Sequence, residues 1–283
     1  MKIVKDIKKM QEFSWQKKKL GKKIGFIPTM GALHEGHLSL IRKSRQDNDL
    51  TVVSIFVNPA QFGPQEDLKK YPRDFKKDAA LCAKEKVDVI FFPSPKEMYP
   101  CDYKTFITVE GLSDKLCGKS RPGHFRGVAT VVAKLFNIVR PDAAYFGLKD
   151  AQQAIILKQM SKDLNFPMQI KLCRTKREKD GLAMSSRNIY LNKDERVQAL
   201  VLSSSLKLAE NLIKNRQRDP KIVISRMRSL ISTAKDARID YISVTDLNEL
   251  EPLKKIKGEV LIALAVRIGK TRLIDNCILN VRN

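Results

Sequence analysis

The run Thr51-Val-Val-Ser-Ile-Phe-Val57 is almost continuously apolar, mostly β-branched, and ends at Asn58-Pro59. A strand of that texture has no side to turn to water, so it belongs inside a parallel sheet with helices on both faces. Comparable runs flank it: Lys23 to Ile27, which Pro28 closes by lacking a ladder donor, and Val87 to Phe92, stopped by Pro93 and Pro95. Helical patterns lie between them, one starting at Leu38, Leu40 and Ile41 and one over Arg73 to Lys86 with Phe75, Ala79, Leu81, Cys82 and Ala83 on its apolar face. Val128 to Val139 (helix), Ala143 to Phe146 (strand), Ala151 to Leu164 (helix) and Met168 to Leu172 (strand) continue the alternation. The pattern predicts an α/β domain over residues 1–174 built on a doubly wound parallel sheet.

The texture changes after a charged loop from Arg174 to Asn188. Helices are expected near Lys193 to Lys214 and near Pro220 to Ala234, the second with Asp219 as cap and Pro220 at its first position. Strands follow at Ile239 to Val244, Gly258 to Ile268 and Leu273 to Val281, giving a smaller α+β domain over residues 175–283.

In an open α/β sheet, ligands sit beyond the carboxyl ends of the strands, so the loops that fall there carry the chemistry. The first is Met30-Gly-Ala-Leu-His-Glu-Gly-His37, which holds two of the chain's three histidines. Gly31 permits a sharp turn, and His34 and His37 stand at a helix start, where free N–H groups and the positive dipole end favour an anion. Gly36 leaves room for a phosphate against the backbone. A metal site is not marked, because two ligands on one turn lack a third and fourth at recognisable spacing. The second loop, Asn58-Pro-Ala-Gln-Phe62, offers amides to hydroxyls or a carboxylate. The fourth, Phe146-Gly-Leu-Lys-Asp150 with Gln152-Gln153, offers close backbone approach at Gly147, a cation at Lys149, a helix cap at Asp150 and an amide at Gln153. The loop Asp180-Gly-Leu-Ala-Met-Ser-Ser-Arg-Asn188 combines a hinge glycine, two hydroxyls and Arg187, which suits a clamp on polyphosphate.

The chain has 283 residues and a net charge of +23. That charge suggests a polyanionic partner, but the basic residues come in scattered pairs and triplets such as Lys17-Lys18-Lys19 and Lys254-Lys255, with no aromatic interleaving. A solvated lysine-rich surface is the expectation. The five cysteines form no C-x-x-C pair or even framework, which implies a reducing compartment. No apolar leader opens the chain and no stretch approaches a membrane span, so a cytoplasmic location without membrane attachment is expected. The absence of G-x-x-x-x-G-K-[ST], and of G-x-G-x-x-G after the first strand, disfavours P-loop kinases and ordinary dinucleotide dehydrogenases.

Taken in order, Pro28-Thr-Met-Gly31, His34-Glu-Gly-His37, Phe56-Val-Asn-Pro59 with Gln61-Phe62, Tyr71-Pro-Arg73, Arg121-Pro-Gly-His-Phe-Arg-Gly127, Phe146-Gly147 with Lys149-Asp150 and Gln152-Gln153, and Asp180 to Asn188 resemble the pantoate-beta-alanine ligases, with Leu273-Ile-Asp-Asn276 resembling them again. The resemblance implies a Rossmann-like nucleotidyltransferase domain, a C-terminal α+β lid domain and a homodimer. It implies ATP-dependent condensation of (R)-pantoate with beta-alanine through a pantoyl-adenylate, with Mg²⁺, and no nucleic-acid partner. Carried over to this sequence, Met30, Gly31, Ala32, Leu33, His34, Glu35, Gly36 and His37 form the ATP loop, with His34 and His37 on the phosphates. Gly147, Leu148, Lys149, Asp150, Lys176, Met184, Ser185, Ser186 and Arg187 complete the ATP site. His37, His34, Lys149 and Arg187 carry the catalytic roles, and Gln61, Gln153 and Asn58 hold substrate. There are two departures from the family pattern: Leu148 replaces a commonly acidic residue, and the pair Lys176-Arg177 a less charged pair.

Two other readings compete with this one. A cytidylyl- or adenylyltransferase shares H-x-G-H on the first helix, and Gln61 with Gln153 argues for the ligase. A basic nucleic-acid-binding module accounts for the charge but leaves the glycine-bearing loops at the strand ends unexplained.

Overall fold

Six short segments make one all-parallel sheet: β1 (Lys2–Val4), β2 (Ile24–Thr29), β3 (Leu50–Ile55), β4 (Val89–Phe91), β5 (Ala143–Gly147) and β6 (Gln169–Cys173). They are found in a computed structural model that describes residues 1–64 and 66–282. The strand order is β1-β4-β3-β2-β5-β6. From β2 the chain therefore steps outward to β3 and β4, and later returns to the other side of β2 with β5 and β6. The point where the winding reverses lies between β2 and β5, and it is there that a doubly wound sheet opens a crevice at its carboxyl edge. The helices joining these strands are α1 (Ile7–Lys19), α2 (Glu35–Asp47), α3 (Phe75–Lys84), the short α4 (Pro95–Met98) and α5 (Cys117–Ser120), α6 (His124–Val139) and α7 (Ala151–Asp163).

The sheet runs further at β2 than the sequence predicts. Pro28 is paired with Ser54 inside the strand instead of ending it. Ile24 donates its N–H to Asp142 on the β5 side, so by alternation the missing N–H of Pro28 also faces that side, where pairing stops at Phe26 and Ala144. β1 and α1 were not anticipated: three residues are too few to show a period, and α1 buries only Met10 and Ser14 amid its lysines. α6 starts at His124, four residues early, because left-handed Gly123 (φ 79°) serves as its N-cap. On α3 the apolar stripe includes a charge, since Asp78 is buried with Cys82 while Ala83 is exposed. Ile27, Leu38, Ile41, Val53, Ile90 and Tyr145 pack together as the core on one face of the sheet.

The chain divides into two units. The first comprises residues 1–113, 121–148 and 156–174, and the second residues 114–120, 149–155 and 175–283. The last division between the units falls between Arg174 and Thr175, and residues 114–120 and 149–155 cluster with the second unit. That unit contains α8 (Lys193–Gln198), α9 (Leu200–Lys214), α10 (Pro220–Ile231) and an antiparallel sheet of β7 (Ala237–Asp246), β8 (Gly258–Ile268) and β9 (Thr271–Val281) in order β7-β8-β9. The helix expected over 193–214 is broken at Ala199 into α8 and α9. Val260, Ile262, Leu264 and Val266 of β8 pack on Leu206, Val223 and Met227 of α9 and α10. The opposite face carries the two inserted segments: the Cys117 thiol lies 3.0 Å from the Tyr241 hydroxyl, and the Asn276 amide donates to the Lys149 carbonyl at 2.8 Å. All five cysteines are free thiols, and among the described residues no helix is long and apolar enough to cross a membrane.

One glycine of the first unit fixes how closely α6 packs. A methyl group on Gly127 would stand 2.1 Å from the Ala60 carbonyl oxygen and 2.6 Å from the Gln61 nitrogen, both backbone atoms. Neither can rotate away, so Gly127→Ala is expected to lower unfolding stability by about 1–3 kcal/mol through overpacking, read from the urea midpoint.

Candidate active site

The loop after β2 is shaped by two consecutive left-handed residues, Gly31 (φ 82°) and Ala32 (φ 50°). Thr29 Oγ1 accepts the Gly31 N–H at 3.2 Å and itself donates to the Ser54 carbonyl at 2.7 Å. Asp78 then takes the next two donors, Ala32 N–H at 2.9 Å and Leu33 N–H at 2.8 Å, one on each carboxylate oxygen. Burial pushes the Asp78 carboxyl above its ordinary value, against the pull of those two N–H bonds. The Leu33 side chain drops into the core.

His34 caps α2 and His37 sits one turn in, with ring centroids 4.1 Å apart. Gly36 N–H donates to His34 Nδ1 at 3.1 Å, and His34 N–H donates to His37 Nδ1 at 3.3 Å. A neutral imidazole that accepts at Nδ1 carries its proton on Nε2, so both rings are set as Nε2–H donors. The structure corrects the sequence argument here. The backbone N–H groups of Gly31 through His34, and those of Gly36 through Leu38, are satisfied within the loop. This helix start therefore presents two imidazoles and the dipole rather than a row of spare backbone donors. A methyl group on Gly36 would meet His34 Cε1 at 2.8 Å and Nδ1 at 2.9 Å. The smallness of Gly36 is what lets the His34 ring fold back. Glu35 turns along the helix to Arg42, at 2.5 and 3.2 Å.

After β3, a one-turn 3₁₀ helix, Pro59–Gln61, presents the amides. Asn58 is 1 % exposed and fully committed to protein partners. Its amide nitrogen donates to Gln61 Oε1 at 3.0 Å and to the Gly127 carbonyl at 3.1 Å, while its oxygen accepts from Ala60 N–H and from the Tyr99 hydroxyl. With both donors and both lone pairs used, the Asn58 side chain holds Gln61 in this structure. Gln61 Nε2 donates to Met30 Sδ at 3.1 Å, which ties this turn to the loop after β2.

In the second unit, Lys149 sends its ammonium to within 3.5 Å of Asp150 Oδ1, a long and weak pair. A methyl group on Gly147, at the end of β5 in the first unit, would meet nothing within 4 Å. Gln152 and Gln153 part company. Gln152 is buried, accepting from Cys117 N–H at 3.0 Å and donating to the Lys115 carbonyl at 2.7 Å, whereas Gln153 is half-buried. The Asp180 loop is a pinned hairpin rather than a loose linker: Met184 N–H donates to the Lys176 carbonyl, and Arg196 reaches Glu178 at 2.6 Å and Asp180 at 2.8 Å. Gly181, at φ 98°, makes its turn. Arg177, one of the departures from the family pattern, pairs bidentately with buried Asp275 at 2.6 and 3.0 Å, so its charge is structural. Ser185 Oγ accepts the Arg187 N–H at 3.3 Å and opens a 3₁₀ turn over Ser186–Tyr190. Among the described residues no group of three or more His, Cys, Asp or Glu side chains is gathered to hold a metal ion.

The family model described as Pantoate-beta-alanine ligase matches residues 2–278. The chain belongs to the pantoate-beta-alanine ligase family. Similar relatives include the pantothenate synthetase of Caldicellulosiruptor saccharolyticus, 56% identical over 99% of this chain and 100% of that one, and that of Thermotoga neapolitana, 54% identical with the same coverage. Among solved structures, the pantothenate synthetase of Thermus thermophilus is similar at TM-score 0.93 and 38% identity, with full coverage of both chains. The pantoate-beta-alanine ligase of Francisella tularensis, complexed with beta-gamma ATP and beta-alanine, matches at TM-score 0.81 and 38% identity, over 98% of this chain and 97% of that one. As a member of a ligase family with the fold of its relatives, the chain carries the two histidines and the Gln61 turn at the carboxyl edge of the sheet.

Sequence reasoning missed Asp78, Glu66 and Asn276. Asp78 left a signal, a carboxylate on the apolar stripe of α3 at helical spacing from Phe75 and Cys82. Asn276 left one only as the end of the Leu273-Ile-Asp-Asn276 resemblance, with no role attached, and Glu66 left none, because its partner Arg121 is distant in the chain.

Two expectations follow. Gly36→Ala should push the His34 ring out of place, lowering kcat/KM by up to about 10²-fold while the melting temperature stays near that of the wild type. Glu66 pairs with Arg121 at 2.6 Å; burial alone would raise its carboxyl, but that hydrogen bond and charge outweigh it and hold the group below the usual 4.5. A carboxyl depressed on folding contributes stability above its unfolded value and loses it as pH falls through the folded value. The stability margin of wild type over Glu66→Gln should thus be constant above pH 4.5 and shrink below it, as measured by denaturant unfolding across pH.

Proposed function

We propose that the chain joins (R)-pantoate to beta-alanine in two steps, with a pantoyl-adenylate between them. In the first, a pantoate carboxylate oxygen attacks the α-phosphorus of ATP and pyrophosphate leaves. In the second, the beta-alanine amine attacks the acyl carbonyl, AMP leaves, and the amide nitrogen gives up a proton. The observation that carries this reading is the paired imidazoles of His34 and His37, both held as Nε2–H donors at the positive end of α2. Two anions must approach in the first step, and preorganised donors placed where charge develops are what lowers that barrier.

The remaining roles are assigned within each unit. In the first, Met30 to His37 form the ATP loop and Gln61 holds pantoate by the amide that Asn58 orients. In the second, Lys149 neutralises phosphate charge, Gln153 holds pantoate, and Met184, Ser185, Ser186 and Arg187 close on ATP with the Lys176 backbone at the adenine. Asp150 is the partly exposed carboxylate available to a Mg²⁺ ion that arrives on the triphosphate; such an ion keeps mostly phosphate and water oxygens. When bound, it supplies charge neutralisation on the phosphates. The homodimer and cytoplasmic location implied by the resemblance belong to the same proposal.

The deciding test is isotope exchange. ATP and pantoate without beta-alanine should support exchange of pyrophosphate into ATP, and His37→Ala should slow that exchange by about 10²–10³-fold. Exchange that needs beta-alanine would exclude a discrete adenylate, and normal exchange in His37→Ala would remove the imidazole from the chemistry.

A further inference from the structure

The motif Arg121-Pro-Gly-His124 lies outside the roles given so far, and it contains the third histidine. His124 is the first residue of α6 and is 9 % exposed. Its Nε2 faces Arg121 Nη1 at 2.9 Å, and its Nδ1 faces the Gln61 carbonyl oxygen at 2.8 Å. A guanidinium only donates, so Nε2 accepts and the ring proton sits on Nδ1, where it is given to Gln61. Arg121 is itself fixed by two 2.6 Å bonds to the Glu66 carboxylate and reaches the same carbonyl at 3.5 Å. The chain of contacts runs Glu66, Arg121, His124, Gln61 main chain. Asn58 holds the Gln61 side chain from the other end.

We infer that His124 is a positioning residue for the pantoate amide: its Nδ1–H, held in that tautomer by the Glu66-clamped Arg121, fixes the main chain of Gln61 so that the side-chain amide is aimed before substrate arrives. The inference rests on the assignment of pantoate to Gln61. Its physical basis is that Gln61 ends a single 3₁₀ turn, too short to define its own geometry. The turn is backed by α6 at Gly127 and anchored through one carbonyl. Without the Nδ1–H, that carbonyl keeps only the long contact to Arg121, and pantoate must order the turn as it binds.

The test is a set of pantoate and ATP Michaelis constants for His124→Gln, His124→Asn, His124→Ala and Gln61→Ala, each with a melting curve. Asparagine places a side-chain N–H close to where Nδ1–H stands; glutamine places its amide near Nε2 and cannot reach the Gln61 carbonyl in the same way. His124→Gln and His124→Ala are expected to raise the pantoate constant roughly 5- to 30-fold with the ATP constant unchanged, and His124→Asn to remain near wild type. In a Gln61→Ala background, His124→Gln should add nothing, because it acts through Gln61. Should His124→Ala not fold, the Asn and Gln variants decide. The inference is overturned if Asn is as impaired as Gln, if the ATP constant rises in parallel, or if the double variant is worse than Gln61→Ala. Gln61→Ala with a normal pantoate constant would overturn the assignment of pantoate to Gln61 instead; a defect in Gln61→Ala with none in His124→Gln overturns the positioning role alone.

Discussion

A buried carboxylate governs the loop on which the candidate chemistry stands. Gly31 and Ala32 both adopt left-handed backbone, and a non-glycine residue there is held only if its surroundings over-determine it. Asp78 does this by accepting from Ala32 and Leu33, from inside the core stripe of α3. The carboxylate costs desolvation, visible in its raised pKa. In return the loop reaches α2 in one conformation, with His34 as cap and His37 one turn on. Removing Asp78 would take away the carboxylate that the Ala32 and Leu33 N–H groups share, at the place where position matters most.

The second support is the turn after β3. Its residues are committed to one another in a closed set: Asn58 to Gln61 and Gly127, Tyr99 to Asn58, Gln61 to Met30. The last bond matters for function because it couples the amide turn to the histidine loop inside the first unit. A change in either is therefore expected to be felt by the other, and double-mutant cycles between Met30 and Gln61 are the direct way to measure that coupling.

The parallel sheet was legible because its inner strands are covered on both faces and so read as nearly unbroken apolar runs, of which Thr51 to Ile55 is the clearest. The order of the strands was not, since nothing local in β1 or β5 says which neighbour it takes. Helix starts were misplaced where the cap is a backbone conformation instead of a side chain, as at Gly123. At the site, the residue types were readable: two histidines at a helix start, glutamines after strands, a lysine after glycine. What each residue does with its hydrogen bonds was not readable. Asn58 and Gln152 resemble Gln61 and Gln153 in sequence, yet the first pair is spent on partners within the protein, Asn58 on two side chains and two backbone groups and Gln152 on backbone. Long-range pairs such as Arg177 with Asp275, or Arg121 with Glu66, have no local pattern at all.

The three histidines show why such pairings matter chemically. Imidazole has two nitrogens and one proton at neutral charge, and the neighbour of one nitrogen decides what the other can do. His34 and His37 accept backbone N–H groups at Nδ1, which leaves Nε2 as the donor on each. His124 accepts an arginine at Nε2, which leaves Nδ1 as the donor. In the first two, the Nε2 edge of the ring is the donor, as a phosphate oxygen requires. In the third, the donor faces a main-chain carbonyl, as a scaffold requires. The same side chain thus serves chemistry or architecture according to which ring nitrogen the fold occupies first, a distinction that composition and spacing cannot express.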